Sequence, residues 1–169
     1  MIALIEQSKR NTISKIIEDN LDYLVRFAYF RLGNRVEAED LVYDAILKFL
    51  EKSTGNIKPE SVRLYLFRIV HNLCLDKMRT EKRELSLSGN LDVEYSPEDV
   101  LDLEEADRIN VCLDSLPQRE SEIIRMNVVD NLSFVEISNI LSIPQSTAKS
   151  RYKSGMDKLR KLFINNKMS

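Results

Sequence analysis

Glycine and proline are scarce in this chain, four of each among 169 residues, while leucine, isoleucine, glutamate and lysine abound. That balance excludes a turn-rich β-sandwich and favours helices joined by short connections. Cysteine is almost as rare: Cys74 and Cys112 stand far apart and in no CxxC pair, which excludes a disulfide framework and fits a reducing compartment. The single histidine, His71, lies three residues before Cys74, a spacing that puts two metal ligands on one helical face, but no second pair completes a site. Cys74 therefore reads as a small core residue and His71 as a polar helix position. No apolar run approaches the roughly 20 residues of a membrane span, and Met1 to Arg10 carries acid and amide side chains where a signal peptide needs its apolar core. A cytoplasmic protein without membrane insertion is expected. Phosphate-cradling glycine loops, ligand clusters and nucleophile triads are all missing, so no catalytic residue, metal or cofactor is expected and the chain is not read as an enzyme.

What is present is charge, sorted into blocks. The formal net charge is only −2. Residues 58–83 nevertheless hold seven basic and three acidic side chains, and residues 144–169 hold seven and one. Between them, Glu84 to Asp107 contains nine acids and no Lys or Arg, and is broken by Ser86, Ser88, Gly89, Asn90, Ser96 and Pro97. A segment of that kind is a self-repelling tether. The expected organisation is a domain over 1–83, an acidic linker over 84–107 and a second domain over 108–169, all α-helical.

In the first domain Leu21, Leu24, Val25, Ala28 and Leu32 recur at helical spacing, and Gly33-Asn34 marks a stop. A second helix from about Val36 opens with Glu37, Glu39 and Asp40 in its first turns. It buries Leu41, Val42, Ala45, Ile46, Phe49 and Leu50, and turns Asp40, Asp44, Lys48 and Glu51 outward, a face left for a protein partner. A third helix, about Val62 to Arg83, buries Val62, Leu66, Ile69 and Leu73 and sets Arg68, Asn72, Asp76, Arg79 and Arg83 on another side. Asp76 and Arg79 suit an intrahelical ion pair. Arg63, Lys77, Lys82 and Arg83 read as phosphate contacts, and Tyr65 and Phe67 either stack on single-stranded bases or pack in the core.

In the second domain Leu116-Pro117 closes a short helix, and a following one spans Glu120 to Val128 with Ile123, Ile124, Met126 and Val129 as core positions. Ser133 and Glu136 form a capping-box signature for the next helix. Ser142-Ile143-Pro144 leaves room only for a tight turn before a last helix from about Ser146, which is helix-turn-helix spacing. On that helix Ala148, Tyr152, Met156, Leu159 and Phe163 form the inward stripe. Thr147, Ser150, Arg151 and Ser154 face out, flanked by Lys149, Lys153, Lys158, Arg160 and Lys161. Short hydroxyl side chains beside an arginine suit base edges of the major groove, and lysines suit phosphates.

Three ordered stretches resemble the extracytoplasmic-function group of bacterial sigma factors. Ala38-Glu39-Asp40-Leu41-Val42 with Asp44 and Leu47 is similar to that family's AEDLVQE helix. Leu66-Phe67-Arg68-Ile69 with Asn72, Leu73, Asp76 and Arg79 is similar to its LYRIARNLALDxLR helix. Leu116-Pro117, Glu122, Glu136-Ile137, Leu141, Ile143-Pro144, Thr147, Lys149-Ser150-Arg151 and Lys158-Leu159-Arg160 resemble its −35 domain, with the pattern EIAEILGIPxGTVKSR. The resemblance covers nearly the whole chain. It implies a sigma factor that carries core RNA polymerase to promoters, recognises the −35 element and melts the −10 element. Asp40, Leu41, Tyr43, Asp44 and Lys48 would dock on the polymerase clamp helices. Asn56, Lys58, Arg63, Arg68, Asn72, Lys77 and Arg79 would meet the −10 element, with a flipped base captured in the loop around Thr54 to Lys58. Thr147, Lys149, Ser150, Arg151, Lys153 and Ser154 would meet the −35 element. The linker would enter the RNA exit channel as an anionic, displaceable chain. Polymerase core at clamp and flap, promoter DNA and an anti-sigma factor are the implied partners.

Several positions depart from the family pattern. Tyr43 replaces Gln, Ser121 the Arg of an RE pair, Ser142 a turn Gly, Ser146 and Ala148 the Gly and Val of GTV, and Ser154-Gly155 an Arg-Ala. Ser146 is expected to cap the last helix, and Gly155 to weaken it by about 1 kcal/mol. The competing readings are a stand-alone helix-turn-helix regulator with a helical sensing domain, and a degenerate relative that only titrates an anti-sigma factor or polymerase.

Overall fold

A first helix much longer than its apolar pattern indicates dominates the N-terminal half. The computed structural model describes residues 1–52, 57–88 and 108–168, the side chains of residues 88 and 166 excepted. Helix α1 runs Ile2–Leu32, although only its C-terminal turns bury Leu24, Phe27 and Ala28. It ends where expected: Gly33 takes φ 71, and its N–H donates to the Tyr29 carbonyl at 2.8 Å. A residue with a side chain would be strained in that left-handed conformation. Helix α2, Arg35–Lys52, follows at once, its start capped by the Asn34 side chain, which accepts from the Glu37 N–H at 3.2 Å.

Helix α3, Pro59–Ser88, is longer at both ends than the spacing of its apolar residues suggests. Proline suits the first helical position because the missing N–H has no intrahelical partner there. Ser86, expected to interrupt the helix, lies inside it and returns its hydroxyl to the Arg83 carbonyl at 2.8 Å. Five residues assigned to the acidic linker, 84–88, are thus helical, and residues 89–107 lie outside the described residues.

The three helices pack on one another around Leu24, Phe27, Ala38, Val42, Ala45, Phe49, Val62, Leu66, Phe67, Val70 and Cys74. Phe27 meets Phe67 edge-to-face with ring centroids 5.2 Å apart. The buried side of α3 is rotated from the expected stripe: Phe67, Val70, His71 and Cys74 are buried while Ile69 and Leu73 are only half-buried. Cys74 is the core residue anticipated. His71, read as a polar helix position, is a buried ring lying edge-on to Phe27. Leu50, expected in the core, is about half exposed.

The chain divides into two compact units, Met1–Ser96 and Pro97–Ser169. In the second, α4 covers 108–114, α5 Gln118–Ile124, α6 Phe134–Leu141 and α7 Gln145–Lys167. Arg125–Val129 is a wider π-helical turn, closed by the Asp130 N–H on the Arg125 carbonyl at 3.1 Å. It carries Met126 into the core and leads to Leu132, a core residue that sequence spacing missed. The capping box is present, with Ser133 N–H to Glu136 Oε2 at 2.8 Å and Glu136 N–H to Ser133 Oγ at 3.2 Å. Leu113, Leu116 and Ile124 form a cluster against which Ile109, Tyr152, Met156 and Leu159 pack, whereas Phe163, expected beside them, is exposed. No strand occurs among the described residues, and none of their helices is long and apolar enough to cross a membrane.

Candidate nucleic-acid interface

On α3 the exposed side carries Tyr65, Arg68, Asn72, Asp76, Arg79, Lys82 and Arg83. Tyr65 is therefore the member of its aromatic pair that is open to a base, while Phe67 packs inside. Arg79 stands 3.6 Å from Asp76, both side chains mostly solvated, an exposed pair of little energetic weight. Two of the −10 candidates are engaged within the fold. Arg63 donates through Nε to Asn20 Oδ1 at 3.1 Å and lies 5.0 Å from the Phe67 ring, tying α3 to α1. Burial pushes its pKa down, against the raising effect of Tyr23. Lys77, for which sequence spacing offers only Glu81, reaches Glu37 of α2 at 3.1 Å and Glu81 at 4.0 Å. Glu81 is in turn raised, first by burial and next by the charge of Glu37, against the pull of Lys77. Lys58 is exposed just before α3, and Asn56 and Thr54 lie outside the described residues.

On α2 the docking candidates Asp40, Tyr43, Asp44 and Lys48 are exposed, but Leu41 is buried in the helical core. Leu47 takes its place on the outer face. With Tyr43 and Leu50 it forms an exposed apolar row at steps of four and three, each residue close to half exposed or more.

The turn between α6 and α7 is three residues long. Ser142 adopts φ 54, its N–H donates to the Ser138 carbonyl, and the Ile143 N–H donates to the same oxygen at 3.0 Å. Pro144 precedes α7 in an extended conformation, and no side chain caps the helix. Ser146 is therefore a second-position residue and not the expected cap. Lys149, Ser150 and Lys153 are exposed, and Thr147 and Arg151 are half-buried. Ala148 is fully buried and fixes the inner side.

Ser154 departs from the expected outward role. Its hydroxyl donates to Glu120 Oε1 of α5 at 2.9 Å, and Lys158 Nζ donates to both Glu120 oxygens at 2.8 Å. Between these two residues lies Gly155, where a Cβ would come within 2.6 Å of Ile124 Cδ1 and 3.1 Å of Glu120 Cβ. The glycine is thus a close-approach residue and more than a weak point in the helix. Glu120 is mostly covered, and its pKa is held below the usual carboxylate value, chiefly by the hydrogen bond from Lys158, against burial and with help from Ser154.

Both units match family models: residues 16–84 match sigma-70 region 2 and residues 112–161 match sigma-70 region 4. The chain belongs to the sigma-70 family. Among curated relatives it is 28% identical to the ECF RNA polymerase sigma factor SigW of Bacillus subtilis, over 95% of this chain and 93% of that one. It is 26% identical to the ECF RNA polymerase sigma factor SigE of Mycolicibacterium smegmatis, over 92% of this chain and 63% of that longer one. In fold it is similar to the sigma factor RpoE solved with the anti-sigma factor NepR from Bartonella quintana, with TM-score 0.65, 23% identity and coverage of 89% and 97%. CnrH solved with the cytosolic domain of CnrY gives TM-score 0.67, 18% identity and coverage of 90% and 88%.

This chain is an RNA polymerase sigma factor of the extracytoplasmic-function group, and its region 4 unit carries the helix-turn-helix. Sequence reasoning missed Glu120 as a partner of this sigma factor's last helix, because the two lie 34 and 38 residues apart in the chain. A glycine at 155 inside a basic amphipathic helix was the available signal. The close approach of Ile124 and Glu120 gives that glycine a structural reason.

Proposed function

We propose that this sigma factor divides promoter recognition between two separately cored units. The first N-terminal turns of α7 enter the −35 major groove, where Thr147, Ser150 and Arg151 meet base edges and Lys149 and Lys153 meet phosphates. The exposed row Tyr65, Arg68, Asn72 and Arg79 of α3 receives the melted −10 strand, with Tyr65 as its stacking platform. The outer face of α2, Asp40, Tyr43, Asp44, Leu47 and Lys48, docks on the polymerase clamp helices, and the acidic segment within 84–107 enters the RNA exit channel. Polymerase core, through clamp and flap, and promoter DNA are the partners. Control comes from an anti-sigma factor of the kind found with its structural relatives. The protein acts in the cytoplasm by binding alone, without chemistry of its own.

The observation that carries this reading is the separation of faces: the basic and aromatic row on α3 is exposed and the polar face of α7 is at least partly open, while α2 offers a third, mixed apolar and acidic face. A stand-alone regulator has no use for that α2 face or for a basic α3. The test is run-off transcription with purified core polymerase over genomic fragments. New start sites that depend on the added chain are expected. If none appear, and core polymerase does not co-purify with the chain, the reading fails.

A further inference from the structure

The side of α7 proposed to face DNA does not end where the groove would end. Thr147, Ser150, Arg151, Ser154 and Lys158 lie along one side of the helix, each three or four residues from another of the set. The first three are at least partly open, and the last two are held by α5 through a single carboxylate. Two kinds of contact act there together. The glycine at 155 lets α5 approach until Ile124 and the Glu120 stem fill the space a side chain would need, which fixes the separation of the helices. Glu120 then fixes rotation and register, because its donors sit one helical turn apart, Ser154 at 2.9 Å and Lys158 at 2.8 Å. Helix α5 is itself anchored: Ile123 and Ile124 are buried, and Ser121 is buried with its hydroxyl on the Gln118 carbonyl. A carboxylate makes a poor neighbour for phosphate, so Glu120 contributes nothing attractive of its own to DNA.

We propose that Glu120 is a positioning residue for promoter discrimination: by clamping Ser154 and Lys158 it sets the rotation of α7, and thereby decides which −35 sequences this sigma factor prefers. The inference rests on the reading of α7 as the −35 helix. Base-edge hydrogen bonds tolerate little misplacement, whereas phosphate contacts from long lysines adapt. A small rotation of α7 therefore reorders base preference more than it lowers total affinity. The depressed pKa of Glu120 agrees with this, since the carboxylate stays ionised and keeps both donors across the neutral range.

The test is run-off transcription with core polymerase on a template series that shares one −10 element and varies single −35 bases. Thermal melts of each variant are recorded in parallel. For Glu120→Ala the ratio of transcripts between the preferred and substituted −35 sequences should change by about fivefold or more at one position, the discrimination that one good base contact supplies. Glu120→Gln keeps an acceptor for Ser154 and should restore most of the wild-type ratio. An equal loss on every template, with the order of preference unchanged, would overturn the proposal and leave Glu120 a purely stabilising residue. If Glu120→Ala does not fold, Ser154→Ala and Lys158→Met, each removing one donor, decide by the same ratio, and unchanged ratios in both overturn it. Wild-type protein that starts no transcript refutes the promoter reading itself, and the positioning role with it. Active wild type with flat ratios across the variants refutes only the positioning role.

Discussion

Replacing Gly155 by alanine sets two physical effects against each other. Helix propensity alone makes Gly155→Ala stabilising by about 1 kcal/mol, since glycine costs roughly that in a helix interior. Packing acts the other way. The new Cβ would sit 2.6 Å from Ile124 Cδ1 and 3.1 Å from Glu120 Cβ. The first atom belongs to a buried side chain with little room to swing, and the second is close to the α5 backbone. Overpacking of this kind costs about 1–3 kcal/mol, so a net loss of about 1 kcal/mol is expected. In a unit of this size that lowers Tm by roughly 4–8 °C. Thermal melts followed by circular dichroism on the full chain measure it. A double variant with Ile124→Val, which deletes Cδ1, should lose less than the two single changes summed. A Tm at or above wild type for Gly155→Ala, or strict additivity in the double variant, would show that the helices are not held at the distance described.

Four further outcomes are expected. Ser142→Gly should raise the stability of the second unit by about 1 kcal/mol, read from the denaturant midpoint, because Ser142 holds φ 54 where glycine is unstrained. Phe67→Ala should cost about 3–5 kcal/mol, whereas Tyr65→Ala should change stability by less than about 0.5 kcal/mol and show its effect in promoter opening. Glu120 has a folded pKa below its unfolded one, so its stabilisation is complete above the ordinary carboxylate value and is lost as pH falls through the lower folded value; Lys158→Met should flatten that acid dependence in pH-resolved melts. Arg151→Ala should change −35 preference, while Lys153→Ala should weaken all promoters alike and reduce the salt slope by about one; equal losses for both on every sequence would contradict the assigned roles.

Local signals were the most legible part of the fold. Gly33, the Ser133–Glu136 capping box and the three-residue turn at Ser142 each depend on neighbours within a few positions, and each stands where spacing put it. The first turns of α1 were invisible because they bury almost nothing and so show no apolar stripe. The buried side of α3 was misjudged for a related reason: Ile69 and Leu73 look like core, but two helices pack against α3 and favour the face of Phe67, Val70 and Cys74. Leu41, marked for docking by the family motif, is buried, because a motif marks a helix without saying which of its residues are inside. Arg63 and Lys77 were read as phosphate contacts because their partners within the fold, Asn20 and Glu37, are distant in the chain. The outward placement of polar and charged residues, in contrast, held at Arg68, Asn72, Arg79, Lys149 and Lys153.

The contact at Gly155 also bears on how a promoter reader of this kind can be rebuilt. Transplanting α7 alone into a related protein would carry across every residue proposed to touch the −35 bases, yet leave Ser154 and Lys158 facing whatever the host offers in place of Glu120. It would also bring Gly155 without the Ile124 side chain that fills the gap. The smallest transferable piece is therefore the paired stretch from α5 to the middle of α7, with the turn and the π-helical step between them. Chimaeras cut inside that stretch should come out with blurred sequence preferences, and chimaeras cut outside it should inherit the donor's.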